Sequence, residues 1–113
     1  MPKFMLLIRG GDPDSEFSPE EMQAIIQKYI KWAQRLRESG KLAESEKLSD
    51  GGRLLSVKNG KVVDGPFTET KEAVGGYFTV EAADYEEACK IARDCPVLER
   101  DGKVEVRKLD FQD

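Results

Sequence analysis

The chain has 113 residues, the length of one ordinary domain, and 22 acids against 18 bases leave a net charge of −4. Apolar residues make up 39% and recur in clusters along most of the chain, so a disordered polymer is excluded and a single core over 1–113 is expected. The acidic balance, with no clustered basic face, argues against a nucleic-acid partner, since such binding rests on neutralising phosphates.

The absence of histidine narrows the chemistry further. Ser-His-Asp and Cys-His pairs cannot be built, and histidine metal sites are excluded. Cys89 and Cys95 are too few for a structural zinc site, fit neither a metal knuckle nor a redox pair, and read as buried small hydrophobes. Acid–base work would fall to Asp, Glu, Lys, Tyr or Cys. There is no apolar run near the ~18 residues of a membrane span and no secretion leader. The expectation is a cytoplasmic protein with no membrane partner and no cofactor.

In chain order, "KFMLLIR" (3–9) is an apolar run with charged ends. Phe4, Leu6 and Ile8 point one way and Met5 and Leu7 the other, the pattern of an interior strand covered on both faces. A Gly/Pro-rich loop (10–17) leads to "SPEE", where Ser18 is an N-cap, Pro19 fills the first helical position and Glu21 completes a capping box. Met22, Ile25, Ile26, Tyr29, Ala33 and Leu36 recur at helical spacing, flanked by Ile30 and Trp32, and Gly40 stands past the end near Ser39. "KLAESEKL" (41–48) alternates weakly and reads as an edge strand. "RLLSVKNGKVV" (53–63) holds Asn59-Gly60 between two β-rich arms, a two-residue hairpin signal that sets Val57 opposite Val62, Ser56 opposite Val63 and Leu55 opposite Asp64.

"GYFTVEA" (76–82) is the next strand, with Phe78 and Val80 on one face. Asp84 caps a second helix to about residue 95, with Tyr85, Ala88, Ala92 and Cys95 as its inner stripe and Pro96 as its stop. "GKVEVRKLDF" (102–111) closes as a strand, with Val104 and Val106 inward. The order is β-α-β-(hairpin)-β-α-β. It predicts an α+β, ferredoxin-like fold: a mostly antiparallel sheet, two helices on one face and an extra β-hairpin. Two helices cover one face only, yet the first strand is apolar on both. A second subunit would supply the missing cover, giving a homodimer.

"KFMLLI", "SPEEM", "VVDGPFTETKEAVGGYF", "EEACKIARDCP" and "VEVRKL" together span nearly the whole chain. With them the sequence resembles the DGPF branch of the YCII-related family, in the dimeric α/β-barrel group. The resemblance implies sheets packed face to face in a dimer and a site in the cleft beside the DGPF segment. It also implies a regulatory setting, because some relatives accompany sigma factors. Other branches carry a His-Asp pair proposed as catalytic; here only Asp64 has a counterpart.

Asp64 lies on the hairpin face of Val57 and Val62, so it faces inward at the sheet's rim if those valines do. It is either an Asx-turn acceptor before Gly65-Pro66 or a ligand-binding or proton-moving carboxylate. Phe67 packs the loop onto the core or walls a ligand. Glu69, Lys71 and Glu72 form an alternating charge run, from which Lys71 could pair with Asp64 or an anion. Gly75 and Gly76 allow positive φ or close approach. Arg9, Tyr77 and Arg107 alternate onto the face away from the helices, where they pair between subunits or hold a small anionic ligand. Three functions compete: a small-molecule binding module, an enzyme using Asp64 with Tyr77 or an arginine, and a purely structural interaction dimer.

Overall fold

The computed structural model of the chain describes residues 1–10, 17–49, 51–66 and 74–110. The chain runs β1 (Lys3–Arg9), α1 (Pro19–Glu38), β2 (Leu42–Lys47), β3 (Leu55–Lys58), β4 (Lys61–Asp64), β5 (Val74–Glu81), α2 (Tyr85–Ala92), a short 3-10 helix (Pro96–Arg100) and β6 (Lys103–Lys108). Four strands form one sheet in the order β2-β5-β1-β6, every pairing antiparallel. This is an α+β arrangement consistent with a ferredoxin-like fold. β1 is interior, as its two-sided apolar pattern requires, and β2 is an edge.

The period-2 alternation of β1 sorts its side chains by face. Phe4, Leu6 and Ile8 are buried, while Met5, Leu7 and Arg9 are half-buried. Both helices pack on the Phe4/Leu6/Ile8 side. The Trp32 ring lies 4.6 Å from that of Phe78, and Tyr85 meets Phe4 edge-on at 4.9 Å. Each large apolar side chain sealed here contributes about 1.5–3 kcal/mol of burial free energy.

Local sequence accounts for the helix ends. The Ser18 hydroxyl accepts from the Glu21 N–H and the Glu21 carboxylate from the Ser18 N–H, closing the capping box. Asp84 accepts from the Glu87 N–H. Gly40 adopts φ +74° just past α1, a conformation that favours glycine.

Three expectations need correction. In α1 the buried residues are Trp32 and Leu36, with Ile25 and Tyr29 half-buried, and Met22, Ile26 and Ile30 are exposed. The inward stripe is therefore rotated toward Trp32, because the largest apolar surface wins the place over the sheet. In α2, Ile91 joins Ala88 and Ala92 in the core, whereas Tyr85 is half exposed; its ring edge touches Phe4 and its hydroxyl accepts from the Lys108 N–H. α2 ends at Ala92, three residues before Cys95, and Pro96 opens the 3-10 turn instead of ending α2 directly. Cys95 is extended (ψ 126°), as the residue before a proline must be.

The hairpin β3–β4 has the predicted register, Leu55↔Asp64, Ser56↔Val63, Val57↔Val62, with Asn59 and Gly60 both at positive φ. It forms a separate two-stranded sheet and does not join the main one. The Cα radius of gyration is 16.1 Å, against about 13 Å for a compact domain of this length, and the extents are 49 × 43 × 18 Å. The chain is a flat slab with an arm. No helix among the described residues is long and apolar enough to cross a membrane.

Candidate functional site

The sheet face away from the helices carries chemistry in a defined order. Pairing sets Glu46, Tyr77, Leu7 and Glu105 in one row across the strands, and Glu44, Thr79, Met5 and Arg107 in the next. From β2 to β6 the face therefore reads acidic, polar, apolar, then charged with two arginines nearby. Thr79 is buried in this surface at 5% exposure, whereas Glu44, Glu46 and Arg107 are exposed.

Glu105 joins the two predicted arginines. Arg9 Nε donates to Glu105 Oε1 at 3.1 Å, with Arg9 Nη2 also 3.1 Å from it. Arg107 Nη1 donates to the other carboxylate oxygen at 3.1 Å. The Arg107 guanidinium, then that of Arg9, hold the Glu105 carboxyl below its ordinary value, because both bond to the charged form. Arg107 remains 67% exposed and uses one nitrogen on Glu105, so it retains N–H donors for a further acceptor. Tyr77 lies in the same row as Glu105, on the far side of Leu7.

Asp64 stands elsewhere. It shares the hairpin face of Leu55, Val57 and Val62, as the register requires, but within one chain that face is exposed: Leu55, Val57 and Val62 are 64, 73 and 70% accessible. The inward orientation expected of Asp64 is thus not met inside a single chain, since the hairpin lies off the main sheet. Its carboxylate accepts from Arg53 Nη1 at 2.6 Å, both side chains being open to solvent. The Gly65 N–H donates to Leu54 O, and Gly65 sits at φ +102°, a backbone only glycine adopts easily. Gly65-Pro66 is cis. Phe67, Lys71, Glu69 and Glu72 lie outside the described residues.

The structure thus unites Arg9, Tyr77 and Arg107 on one face and sets Asp64 on a separate arm. Glu105 and Arg53 escaped the sequence reading. The signal for Glu105 was its alternation with Arg107 in "VEVRK", which shares a face once β6 pairs with β1. Nothing local marked Arg53. Of the two glycines, Gly76 supplies the close approach: a Cβ there would lie 2.9 Å from the Glu46 carbonyl, and at Gly75 only 3.9 Å from Ile8 O. Neither adopts positive φ.

A second polar cluster lies on the helix side. A groove of about 280 Å³ between α1 and the 3-10 helix is lined by Phe17, Ile25, Lys28, Pro96, Glu99 and Arg100. The Arg100 guanidinium lies 5.6 Å from the Phe17 ring centre. Beneath it, burial pushes the Tyr29 hydroxyl up to about 12 and raises the Cys95 thiol. Cys95 is therefore a poor nucleophile, and Cys89 is half-buried.

Comparison with known proteins places the fold. The fold is that of a small α+β domain, and residues 3–110 match the YCII-related domain. The chain belongs to the YCII-related family. It is 30% identical over 100 residues to the uncharacterized protein R00369 of Rhizobium meliloti (strain 1021), covering 84% of this chain and 81% of that one. Its fold is similar to that of 5-chloro-2-hydroxyhydroquinone dehydrochlorinase (TftG) from Burkholderia phenoliruptrix AC1100, solved with 2,5-dihydroxybenzoquinone: TM-score 0.50, 17% identity, 96% of this chain and 95% of that one.

Proposed function

We propose that the protein is a homodimeric small-molecule binding module of the DGPF branch that holds a small planar anion against the open face of its sheet. The observation that carries this reading is the Arg9–Glu105–Arg107 cluster beside an apolar centre of Met5 and Leu7. Two guanidiniums fixed by one carboxylate give a preorganised electropositive edge, and Met5, Leu7 and the Tyr77 ring give an apolar floor. A second copy of the chain supplies the wall that this face lacks. Asp64 contributes from the hairpin, and Arg107 takes the ligand's anionic group.

Titration with benzoate and with 2,5-dihydroxybenzoquinone, followed by Trp and Tyr fluorescence, tests the reading. Saturable binding by the wild type and at least tenfold weaker binding by Arg107→Gln support it. No saturable binding of either probe, or equal binding by Arg107→Gln, overturns it. Asp64→Asn separates the roles of the acid. A turn acceptor tolerates the change silently, because the amide oxygen makes the same contact. A ligand contact weakens by about 1–3 kcal/mol with the fold retained.

A further inference from the structure

The groove between α1 and the 3-10 helix lies on the helix side of the sheet and shares no residue with the open face. Its volume, about 280 Å³, stands at the lower end of small-molecule sites, about 300–1,000 Å³, so it takes a small ligand. The local sequence builds it as a furrow. Glu21, Ala24, Ile25 and Lys28 follow the i, i+3, i+4, i+7 spacing that puts them on one face of α1. The small Ala24 leaves the hollow. Across from them, Pro96 opens the 3-10 helix and Glu99 follows on the same side one turn later. From Glu21 to Lys28 the helix rises about 10 Å, so the furrow is longer than a single ring. Phe17, Ala24, Ile25 and Pro96 give it an apolar lining.

The charges decide the occupant. The Glu21 carboxylate accepts from the Ser18 N–H in the capping box, and Lys28 Nζ donates to Glu99 Oε2 at 2.9 Å. Arg100 has no carboxylate partner among the described residues. Its guanidinium lies against the Phe17 ring and bonds the Tyr29 hydroxyl. Its Nε is sealed from water with no acceptor. A buried donor without an acceptor is uncommon in folded proteins, and an ionised carboxylate is the acceptor that binds a guanidinium best.

We propose that this furrow is a second binding site, for a small unbranched aliphatic monocarboxylate. Its chain lies along Phe17, Ala24, Ile25 and Pro96, and its carboxylate sits on Arg100. One anionic group suits the one cation that lacks a carboxylate. A second would meet Glu21 or Glu99, so dianions are disfavoured by like charge. A ring such as benzoate covers only part of the furrow's length.

The full chain is titrated with octanoate by calorimetry, and backbone amide shifts are followed by NMR. Saturable one-site binding, with shifts concentrated on Phe17, Ile25 and Arg100, is the expected result. Arg100→Gln should bind octanoate at least tenfold more weakly. Ala24→Trp fills the furrow from an exposed position and leaves the core untouched, so it should weaken binding at least tenfold with an unchanged melt. Octanol has the same chain and no charge. It should bind at least tenfold more weakly than octanoate, and equally to the wild type and Arg100→Gln. Arg107→Gln should bind octanoate as the wild type does, which separates this site from the open face. The proposal is overturned by no saturable octanoate binding, by octanol binding as tightly as octanoate, or by undiminished binding in Arg100→Gln or Ala24→Trp. Octanoate shifts centred on Met5 and Leu7 also overturn it and leave the open-face reading standing.

Discussion

The two faces of the main sheet come from the same strands and differ in what closes them. On β1, Phe4, Leu6 and Ile8 are at most 8% exposed under two helices, while Met5, Leu7 and Arg9 between them stay half-buried. The closed face is apolar across its centre, with Phe78, Val80, Val104 and Val106 beside it, and polar only at its margins, at Ser45, Lys47 and Lys108. The open face is apolar only at its centre and charged at both flanks. A surface meant only for burial has no use for a Glu bonded to two arginines, because each buried ion carries a desolvation cost. The closed face therefore holds the subunit together, and the open face is the one the proposed function assigns to recognition.

Trp32→Ala should break the closed face most severely, costing about 3–5 kcal/mol in chemical denaturation, because it empties a cavity against Phe78. Leu7→Ala on the open face should cost the isolated subunit only about 1 kcal/mol, with its larger effect appearing in ligand or dimer affinity. Equal losses of subunit stability in the two variants would erase the distinction between the faces.

Gly76→Ala should cost about 1–3 kcal/mol, since its new Cβ meets the backbone of β2 at 2.9 Å. Gly75→Ala, with 3.9 Å of room, should be neutral or stabilising by up to about 1 kcal/mol. Thermal melts of the pair check this.

Tyr29 sharpens the comparison through pH. Its folded pKa, about 12, lies above the ordinary 10.0. The unfolded chain releases the proton first, so this contribution is complete below pH 10 and is lost as pH rises toward 12. The alkaline loss of stability should shrink in Tyr29→Phe. Glu105 on the open face has the opposite sign: its lowered pKa stabilises above the ordinary 4.5 and the contribution fades as pH falls. Because solvent screens this surface carboxylate, it gives the smallest effect, a slightly flatter acid limb in Glu105→Gln melts.

Much of this was legible in the sequence because its causes are local. The Ser18-Pro19-Glu21 box, the Asp84 cap and the Asn59-Gly60 turn each act within four residues, and all three formed where they were expected. Features that depend on which surfaces meet were not legible. Trp32 reads as a flank of the α1 stripe until Phe78 lies beneath it. Asp64 reads as inward until β3 and β4 prove to form their own sheet. Glu105 has no meaning as a bridge until β6 aligns beside β1, setting it diagonal to Arg9.

The central claim, that the open face is the recognition surface, is tested most directly by mapping benzoate onto the protein by NMR. Saturable shifts concentrated on Met5, Leu7, Tyr77 and Arg107, with Phe4, Leu6 and Val80 unmoved, are the predicted result. Saturable shifts centred instead on Phe17 and Arg100 in the helix-side groove, or no saturable shift on the open face, would contradict it.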